Sequence, residues 1–330
     1  MYNVAIVGAT GNVGRKFLEI LEEREFPIKN LYLFASKRSA GSKLSFKGKD
    51  YLVEETVEEN IKNKQIDFAL FSAGGDTSLK YSPIFSSYGA IVIDNSSAFR
   101  MDKNVPLVVP EVNPEDVKWH NGIIANPNCS TIQAMVPLKV LLDNYGIKRI
   151  IYSTYQAVSG AGIQGIADLE DGLKGAEPKK FPYPIAGNCL PHIDVFLENG
   201  YTKEEVKMIE ETKKILHNSD LKITATAVRV PVLNSHSESI NIELEKPFNL
   251  EDIYKLFENS KGLTLYDNPS ELKYPTPLAI TGKDDVYVGR IRRDFSIDNG
   301  LNIWVVADNI RKGAALNAVQ IAELLIRSDS

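Results

Sequence analysis

Short apolar runs alternate with a helical pattern along the first part of the chain. Residues 2–7, 30–35, 66–71 and 90–94 are apolar runs of strand length, and each is followed by small or polar residues. Residues 15–21 carry apolar side chains at helical spacing between the first two runs. Continuous apolar runs are typical of parallel strands that are buried on both faces. The pattern therefore predicts a Rossmann-like α/β domain, in which 66–71 and 90–94 are the third and fourth strands.

The turn after the first predicted strand is rich in glycine. It reads Gly8-Ala-Thr-Gly-Asn-Val-Gly14, and this G-x-x-G-x-x-G spacing opens directly into the predicted helix. Glycines allow the backbone to approach a pyrophosphate, and a helix N-terminus supplies N–H donors and the positive end of a dipole. We interpret the turn as a dinucleotide site. The alternative is a glycine-rich turn without a ligand.

Two further strand ends bear on the cofactor. The second strand ends in Ser36-Lys-Arg-Ser39, where an NAD-specific site would place Asp or Glu against the ribose 2′-hydroxyl. Cations and hydroxyls suit a 2′-phosphate, which favours NADP; the alternative is that Lys37 and Arg38 are solvated loop charges. The third strand ends in Ser72-Ala-Gly-Gly75, small residues that leave room for a cofactor in the crevice.

The pattern changes in the second part of the chain. Residues 148–155, 223–230, 240–244, 286–292 and 301–306 predict further strands. The third of these alternates apolar and polar positions, which indicates one solvated face. We therefore expect an α+β layer of mostly antiparallel strands, covered on one face by helices.

Helices are predicted around these strands. A capping box, Thr202-Lys-Glu-Glu205, opens a helix that extends to about residue 216. Asn249 precedes and caps a helical pattern over 250–257, and 314–326 predict a terminal amphipathic helix. Residues 169–191 are rich in Gly, Pro and Lys and predict a long excursion rather than a compact element.

Length, charge and cysteine content limit the classes of protein that fit. A chain of 330 residues fits two domains, which we place at 1–130 together with the C-terminal helix 310–330, and at 131–309. A net charge of −5 argues against a nucleic-acid surface, and two cysteines point to a reducing compartment. Neither a signal peptide nor a membrane-spanning run is recognisable. We expect a cytoplasmic protein without nucleic-acid or membrane partners.

The stretch Asn126-Pro-Asn-Cys-Ser-Thr131 carries the strongest candidate for covalent chemistry. It lies between an apolar run that ends at Ile124 and a helical pattern over 132–142, so Cys129 lies at or just before a helix N-terminus. Unpaired N–H groups and the helix dipole favour a thiolate there, and a thiolate is a strong nucleophile. The alternative is that Cys129 is a small buried hydrophobic residue, as most free cysteines are.

A catalytic thiolate needs an acid or base, and the chain contains four histidines. His120 and His217 lie in polar, turn-rich surroundings typical of surface loops, which leaves His192 and His236. Arg229 precedes His236 by seven residues, so the pair could clamp a carboxylate and move a proton at adjacent points. This favours His236, with His192 as the alternative.

Other charged residues are candidates for anion and ammonium sites. Arg100 follows the fourth strand, where a guanidinium can clamp an anion; the alternative is a surface ion pair. Glu211 and Lys214 lie three residues apart on a predicted helix and so face the same way; the alternative is a solvated helix pair. No Cys/His cluster has the spacing of metal ligands, so no metal site is expected.

Taken together, these motifs resemble the aspartate-β-semialdehyde dehydrogenases, and the bacterial branch most closely. The resemblance rests on five segments that follow one another along essentially the whole chain: Gly8–Gly14, Asn126–Thr131, Ser153–Gly162, Arg229–His236 and Val288–Arg292. It implies NADP-dependent reductive dephosphorylation of 4-phospho-L-aspartate to L-aspartate 4-semialdehyde and phosphate. That step belongs to the biosynthesis of lysine through diaminopimelate, and of methionine, threonine and isoleucine.

The resemblance also implies roles for individual residues. Cys129 would be the nucleophile that forms a thioester, His236 the acid/base, and Gln156 the residue that orients the acyl group. Arg229 would hold the substrate α-carboxylate and Glu211 its amino group. The phosphate would be bound by Arg100, Lys214 and Asn128. The NADP site would be lined by Gly8, Thr10, Gly11, Asn12, Val13, Ser36, Arg38, Ser39, Ser72, Ser159, Gly160 and Asn317.

The same resemblance implies that the C-terminal helix returns to the nucleotide-binding domain and that the catalytic domain forms a homodimer. Residues 169–191 depart from the family pattern in length and lysine content. The nearest rival is an N-acetyl-γ-glutamyl-phosphate reductase, which the Asn126–Thr131 motif disfavours. A rival from a different class is a non-catalytic NADP-sensing module, in which Cys129 merely packs. A third is a thiol hydrolase, which would leave the dinucleotide turn without a purpose.

Overall fold

The computed structural model describes residues 1–328, which form both helices and strands. The strands are β1 (Tyr2–Val7), β2 (Ile28–Ala35), β3 (Lys43–Phe46), β4 (Lys49–Glu55), β5 (Phe68–Phe71), β6 (Ile91–Asp94), β7 (Ile123–Ala125), β8 (Ile147–Gln156), β9 (Lys222–Arg229), β10 (His236–Leu244), β11 (Leu263–Leu265), β12 (Val286–Asp294) and β13 (Gly300–Ala307). The α-helices are α1 (Asn12–Glu23), α2 (Glu58–Ile61), α3 (Gly75–Ser87), α4 (Cys129–Tyr145), α5 (Ile163–Gly172), α6 (Lys203–Ile215), α7 (Leu250–Glu258), α8 (Pro277–Ile280) and α9 (Leu316–Ser328).

The chain forms two compact units. Unit 1 consists of residues 1–128 and residues 314–328, and unit 2 consists of residues 129–313. The boundaries expected from the sequence lie a few residues from these, and residues 329 and 330 of the expected C-terminal helix lie outside the described residues. No helix within residues 1–328 is long and apolar enough to cross a membrane.

Unit 1 contains a sheet with the strand order β3-β4-β2-β1-β5-β6-β7. All neighbouring strands are parallel except the pair β3 and β4. Apart from β3, this is the doubly wound order, which reverses between β1 and β5 and leaves a crevice at the carboxyl ends of the strands. The prediction of a Rossmann-like domain is confirmed.

The antiparallel hairpin of β3 and β4 was missed by the sequence analysis. The expected third and fourth strands are therefore β5 and β6. The turn of the hairpin is Lys47-Gly48, and both residues have positive φ, at 49° and 73°. Such conformations are typical of two-residue hairpin turns, but lysine is a poor signal for them because its side chain disfavours positive φ.

Helices α1 and α9 bury their apolar faces in the same core of unit 1. Phe17 and Leu21 of α1 pack in one cluster with Ile321 and Leu325 of α9 and with residues of the central strands. Arg24, at the end of α1, donates two hydrogen bonds of 2.7 Å to the Glu323 carboxylate on α9. The last helix of the chain thus completes the core of the first unit.

Unit 2 contains a sheet with the order β11-β12-β13-β10-β8-β9. The three central pairs are antiparallel, whereas β11–β12 and β8–β9 are parallel. Helices α4, α6 and α7 pack against the sheet. On β10 the buried residues Ile240, Ile242 and Leu244 alternate with half-buried ones. The expectation of a mostly antiparallel α+β layer is confirmed.

One expectation for unit 2 is refined and another is wrong. Residues 173–189, which follow α5, form no helix or strand and are mostly exposed, as expected of an excursion, but Leu169, Ile185 and Leu190 are buried in a small cluster of their own. Single apolar residues among Gly, Pro and Lys gave no periodic signal for this packing. Asn249 occupies the N-cap position of α7, but its side chain makes no capping hydrogen bond.

Candidate active site

Cys129 is the first residue of α4 and is partly buried. The expectation that it lies at a helix N-terminus is confirmed. The chain comes close to it at Gly313, where a Cβ atom would lie 2.9 Å from the Cβ of Cys129. Glycine at position 313 therefore allows a close approach of the backbone to the cysteine. The helix dipole and the N–H groups of the first turn favour a thiolate at this place.

His236 begins β10, and its ring is fully buried. The backbone N–H of Ala157 donates a 2.9 Å hydrogen bond to Nδ1 of His236. Because Nδ1 accepts this bond, the proton of a neutral imidazole lies on Nε2. Within the described residues Nε2 has no hydrogen-bond partner. The imidazole ring is thus held in an orientation in which its Nε2–H is available to donate a hydrogen bond.

The charge of His236 follows from its surroundings. Burial lowers the pKa of His236 well below its usual value, and the positive charge of Arg229 lowers it further. His236 is therefore neutral at neutral pH.

The alternative candidate, His192, stacks on the ring of Phe196 with a centroid separation of 4.3 Å.

Arg229 ends β9 and is buried beside the same loop as His236. Its Nη1 donates a 2.7 Å hydrogen bond to the carbonyl oxygen of Ala157, and Nε has no partner within residues 1–328. Burial lowers the pKa of Arg229, whereas the negative charges of Glu204 and Cys129 raise it. The guanidinium and the sulfur of Cys129 are thus close enough to interact electrostatically, and the cation also favours a thiolate.

Gln156 ends β8, and its side chain is held at both ends. Its Oε1 accepts a 3.0 Å hydrogen bond from Thr154, and its Nε2 donates a 3.1 Å bond to Glu204 on α6. Glu204 also accepts from Lys207 at 3.2 Å, and Lys207 donates a second bond of 2.7 Å to Asp194. The buried carboxylate of Glu204 therefore bonds both the amide of Gln156 and the cation Lys207. It also interacts electrostatically with the cation Arg229.

Glu211 and Lys214, to which the family resemblance gave the ammonium and phosphate roles, lie further along the same helix. Seven residues separate Glu204 from Glu211, which is roughly 10 Å along a helix axis. Thr212, the neighbour of Glu211, bonds the hydroxyl of Tyr152 at 3.0 Å, and Tyr152 lies four residues before Gln156 on β8. The structure therefore favours Glu204 and Lys207 over Glu211 and Lys214 as members of the cluster around Gln156.

The loop between β8 and α5 packs against His236 and Arg229. A Cβ atom at Gly160 would lie 3.0 Å from Nη1 of Arg229 and 3.2 Å from Cε1 of His236. The hydroxyl of Ser159 bonds the amide of Asn309, whose Oδ1 also accepts the backbone N–H of Ser235, the residue before His236. Asn309 therefore joins the two loops that carry the site, a role that no sequence pattern predicted.

The glycine-rich turn of unit 1 packs tightly against the end of β5. Gly8 has φ 86°, and a Cβ atom there would lie 2.3 Å from the carbonyl oxygen of Ser72. A Cβ atom at Gly14 would lie 2.2 Å from the carbonyl oxygen of Gly8. Gly11 precedes α1 without a side chain to cap it, and Asn12 begins that helix. The turn thus has the close approach and the uncapped helix N-terminus that a pyrophosphate site requires.

The other cofactor candidates of unit 1 differ in exposure. Thr10 and Val13 are partly exposed in the turn, and Ser36 and Arg38 are exposed after β2, where Ser39 turns back on Ser36 through a 2.9 Å backbone bond. Ser72 is partly exposed after β5. These positions surround the carboxyl ends of the strands, as a cofactor crevice requires.

Asn317 and Arg100 are internal anchors in this structure. Asn317 is fully buried in α9, and its Nδ2 donates to the carbonyl of Val108 at 3.0 Å and to the side chain of Asn126 at 2.7 Å. Arg100 donates 2.9 Å bonds to the carbonyls of Asn126 and Asn95. Its burial argues against the alternative of a surface ion pair. Asn128, which precedes Cys129, is also buried.

Comparison with known proteins assigns the family. Residues 3–120 match the model described as semialdehyde dehydrogenase, NAD binding domain, and residues 138–312 match the one described as semialdehyde dehydrogenase, dimerisation domain. The chain belongs to the semialdehyde dehydrogenase family. This confirms the family resemblance on which the residue roles were based.

Individual relatives of the family are similar over their full length. Aspartate-semialdehyde dehydrogenases of Aquifex aeolicus and Bacillus subtilis are 57% and 50% identical, over 99% and 98% of this chain and 98% and 97% of theirs. A crystal structure of aspartate semialdehyde dehydrogenase II from Vibrio cholerae, complexed with ASA, matches with a TM-score of 0.95 and 49% identity. It covers 99% of this chain and 98% of that one. The enzyme from Candida albicans, solved with NADP, matches with a TM-score of 0.78 and 27% identity over 98% of both chains.

Proposed function

We infer that this semialdehyde dehydrogenase is an NADP-dependent aspartate-semialdehyde dehydrogenase. It reduces 4-phospho-L-aspartate to L-aspartate 4-semialdehyde and phosphate, or runs in reverse, and acts as a homodimer in the cytoplasm. The observation that carries this function is the cluster in unit 2. A cysteine at a helix N-terminus interacts with a buried arginine, and a neutral histidine with an unused N–H lies beside that arginine.

The cluster offers complementary charges for an amino acid substrate. Arg229 is a buried guanidinium with an unused Nε–H, which suits a bidentate bond to the α-carboxylate. Glu204 is a buried carboxylate next to Gln156, and we assign it, rather than Glu211, to the substrate ammonium group. Gln156 then lies between these charges, where its amide can orient the acyl group.

Cys129 carries the covalent chemistry. Its thiolate attacks the acyl carbon of 4-phospho-L-aspartate, a C–S bond forms, and the C–O bond to phosphate breaks, so that phosphate leaves with the electron pair. The resulting thioester holds the acyl carbon in a fixed position, which favours the next step over a bimolecular reaction. In the reverse direction phosphate attacks the thioester. We propose that Arg100, Asn128 and Lys207, rather than Lys214, bind the phosphate.

His236 acts at the oxygen of the same carbon. Reduction of the thioester leaves a tetrahedral oxyanion, and its collapse releases the aldehyde and the Cys129 thiolate. A neutral imidazole with its proton on Nε2 is suited to donate a hydrogen bond to that oxyanion. Such a donor in a buried site is typically worth about 3 kcal/mol of transition-state free energy.

NADP fits the turn of unit 1. When bound, NADPH supplies the hydride that reduces the acyl carbon. The pyrophosphate would be held by the backbone from Gly8 to Val13, and the 2′-phosphate by Arg38 with the hydroxyls of Ser36 and Ser39, since no carboxylate follows β2 there. Ser72, Ser159, Gly160 and Asn317 remain candidates for further contacts with the cofactor.

The test is NADPH formation from aspartate semialdehyde, with and without phosphate. We expect formation that depends on phosphate in the wild type and a loss of at least about a thousandfold in kcat for Cys129→Ala, because the covalent step is removed. Cys189→Ala is the matched control, since Cys189 is exposed and lies outside the cluster. Phosphate-independent NADPH formation, or a fully active Cys129→Ala variant, would contradict the proposal.

A further inference from the structure

The segment from α5 to β9 contains a clasp formed by one buried carboxylate. Asp168, on α5, accepts hydrogen bonds from the backbone N–H groups of Lys179, Lys180 and Phe181, at 2.9, 2.7 and 2.9 Å. These three bonds lower the pKa of Asp168, although its burial acts in the opposite direction. We call Asp168 and these three N–H groups the Asp168 clasp. It fixes the backbone of a loop that would otherwise have few anchors.

The clasp places the ring of Phe181 against Arg229. The guanidinium carbon of Arg229 lies 5.9 Å from the centroid of the Phe181 ring, within the range of a cation–π contact. The Phe181 ring also lies close to α5, because a Cβ atom at Gly165 would be 3.3 Å from Cζ of Phe181. A residue with a side chain at 165 would also meet the carbonyl of Val158 at 2.5 Å. Glycine there leaves room for the aromatic ring.

The same segment also contacts the backbone of Arg229. Leu190 donates a 2.9 Å hydrogen bond to the carbonyl of Arg229, and Arg229 donates a 2.8 Å bond to the carbonyl of Leu190. Residues 179–190 therefore contact the main chain of Arg229 at one end and its guanidinium at the other. The side chain of Leu190 is buried with Leu169 of α5, which ties both ends to one small core.

This arrangement matters because the guanidinium is buried and only partly bonded. Its Nη1 is bound to Ala157, and its Nε has no partner in the described part of the chain. An aromatic face attracts a cation without consuming any of its N–H groups, so it can fix the plane of the guanidinium and leave the unused N–H for a carboxylate. Water would compete for those groups, and an apolar ring excludes it.

We propose that Phe181, held by the Asp168 clasp, is a positioning residue that orients Arg229 and thereby sets the preference for substrates with an α-carboxylate. The proposal rests on the proposed function, in which Arg229 binds that carboxylate. It gives residues 169–191 a role in substrate selection.

The test compares two aldehydes in wild type, Phe181→Leu and Phe181→Tyr. Aspartate semialdehyde carries the α-carboxylate, whereas 3-aminopropanal is the same molecule without it. For Phe181→Leu we expect the KM for aspartate semialdehyde to rise roughly two- to tenfold with little change in kcat, because a cation–π contact is lost while apolar volume is kept. The kinetics with 3-aminopropanal should not change. Phe181→Tyr keeps the aromatic face and should restore the wild-type KM.

The clasp is tested separately with Asp168→Asn. This change keeps the shape of the side chain but replaces one acceptor oxygen with a donor, so it should raise the same KM in the same direction. It should also expose the loop to trypsin at Lys179 and Lys180, with protection returning when aspartate semialdehyde is added. Tyr183→Ala is the matched control, because Tyr183 lies in the same loop but is exposed and takes no part in the clasp. This control should leave the KM unchanged.

Two outcomes would overturn the proposal. One is an unchanged KM for aspartate semialdehyde in Phe181→Leu, and the other is an equal change for both aldehydes, which indicates general damage to the site. Failure of the proposed function is distinguishable, because the wild type would then show no phosphate-dependent oxidation of aspartate semialdehyde. If the wild type shows phosphate-dependent oxidation and the Phe181 and Asp168 variants keep the wild-type KM, only the positioning role of Phe181 is ruled out.

Discussion

At the scale of single residues, His236 shows how one backbone bond decides what a side chain can do. The Ala157 N–H donates to Nδ1, so an added proton on that nitrogen would meet a donor rather than an acceptor. Burial and Arg229 lower the pKa of His236 in the same direction. His236 is therefore suited to donate from Nε2 and poorly suited to hold a positive charge. Activation of Cys129 then falls to the N-terminus of α4 and to Arg229.

Glu238 is a second buried ionisable residue on the same strand. Neither of its carboxyl oxygens has a hydrogen-bond partner of good geometry within residues 1–328, and the Oε1 of Gln133 also lacks one. Burial raises the pKa of Glu238 well above its usual value of 4.5; the amide of Gln133 lowers it, and the charge of Glu204 raises it further. Tyr152 also faces this carboxyl and has a raised pKa, chiefly because of its burial. Glu238 is therefore a neutral acid in the folded protein.

The protonation of Glu238 predicts a pH dependence of stability. Between about pH 4.5 and its raised pKa, the folded state keeps a proton that the unfolded chain releases, so the free energy of unfolding falls as pH rises. Glu238→Gln removes this dependence. The difference in unfolding free energy, variant minus wild type, should therefore increase with pH, by at most about 1.4 kcal/mol per unit. Urea unfolding at several pH values between 5 and about 8 measures it.

The control for this prediction is Glu243→Gln. Glu243 lies on the same strand but is partly exposed and near Lys148 and Arg149, at 3.7 Å from each. A difference for Glu238→Gln that stays constant over the same pH range would contradict the prediction, since it would mean that Glu238 is ionised in the folded state.

At the scale of elements, the N-terminus of α6 brings a carboxylate to the site. The capping box is present as the sequence predicts, since Thr202 accepts from the N–H of Glu205 and Glu205 accepts from that of Thr202. Glu205 also accepts the N–H of Ala227 near the end of β9 at 3.0 Å. The capping box therefore fixes the start of α6 against β9, the strand that carries Arg229. This placement brings the side chain of Glu204 to Gln156.

The choice between two glutamates of α6 is directly testable. Glu204→Gln keeps the shape of the side chain but removes the charge assigned to the substrate ammonium group. We expect the KM for aspartate semialdehyde to rise about tenfold or more, as for the loss of a hydrogen bond to a charged group. Glu211→Gln, an equally buried residue on the same helix, should change this KM by less than about twofold. Steady-state kinetics of both variants decides, and a larger effect of Glu211→Gln would return the role to that residue.

The elements that the sequence predicted well are those with a periodic apolar pattern. The strands β1, β2, β5 and β6 and the helix α4 lie close to their expected positions. The hairpin of β3 and β4 was missed because Leu44, Phe46 and Val53 are its only buried apolar residues, too few for a clear period. The packing of residues 169–191 depends on Asp168 and on isolated apolar residues, which no local pattern reveals.

The candidate site was predictable where a motif marks a strand end or a helix start. Cys129, Gln156, Arg229 and His236 all lie at such ends, and the structure brings the last three around one loop. Glu204 was overlooked because its position in the capping box offered a sufficient structural explanation. Glu204 can be recognised as a site residue only from the side of α6 that faces β8, and this depends on the tertiary structure.

At the scale of the whole molecule, the nucleotide-binding unit depends on both ends of the chain. Unit 1 lacks a complete core until α9 adds Ile321 and its neighbours to the cluster around Phe17 and Leu21. Its core is therefore complete only after α9 has been synthesised. Unit 2 is continuous in sequence and buries residues such as Ile253 of α7 in its own interior.

This division predicts that core substitutions act on different unfolding transitions. Ile321→Ala removes buried volume from unit 1 and should cost that unit about 2–5 kcal/mol, whereas Ile253→Ala, also fully buried, should cost unit 2 a similar amount. NADP, if bound to unit 1, raises the transition of that unit alone, by mass action. Calorimetry with and without NADP should therefore show that Ile321→Ala lowers the NADP-sensitive transition and that Ile253→Ala lowers the other. If both variants lowered one common transition equally, the two units would unfold as a single cooperative body, and the stability of the nucleotide site could not be changed independently of the catalytic cluster.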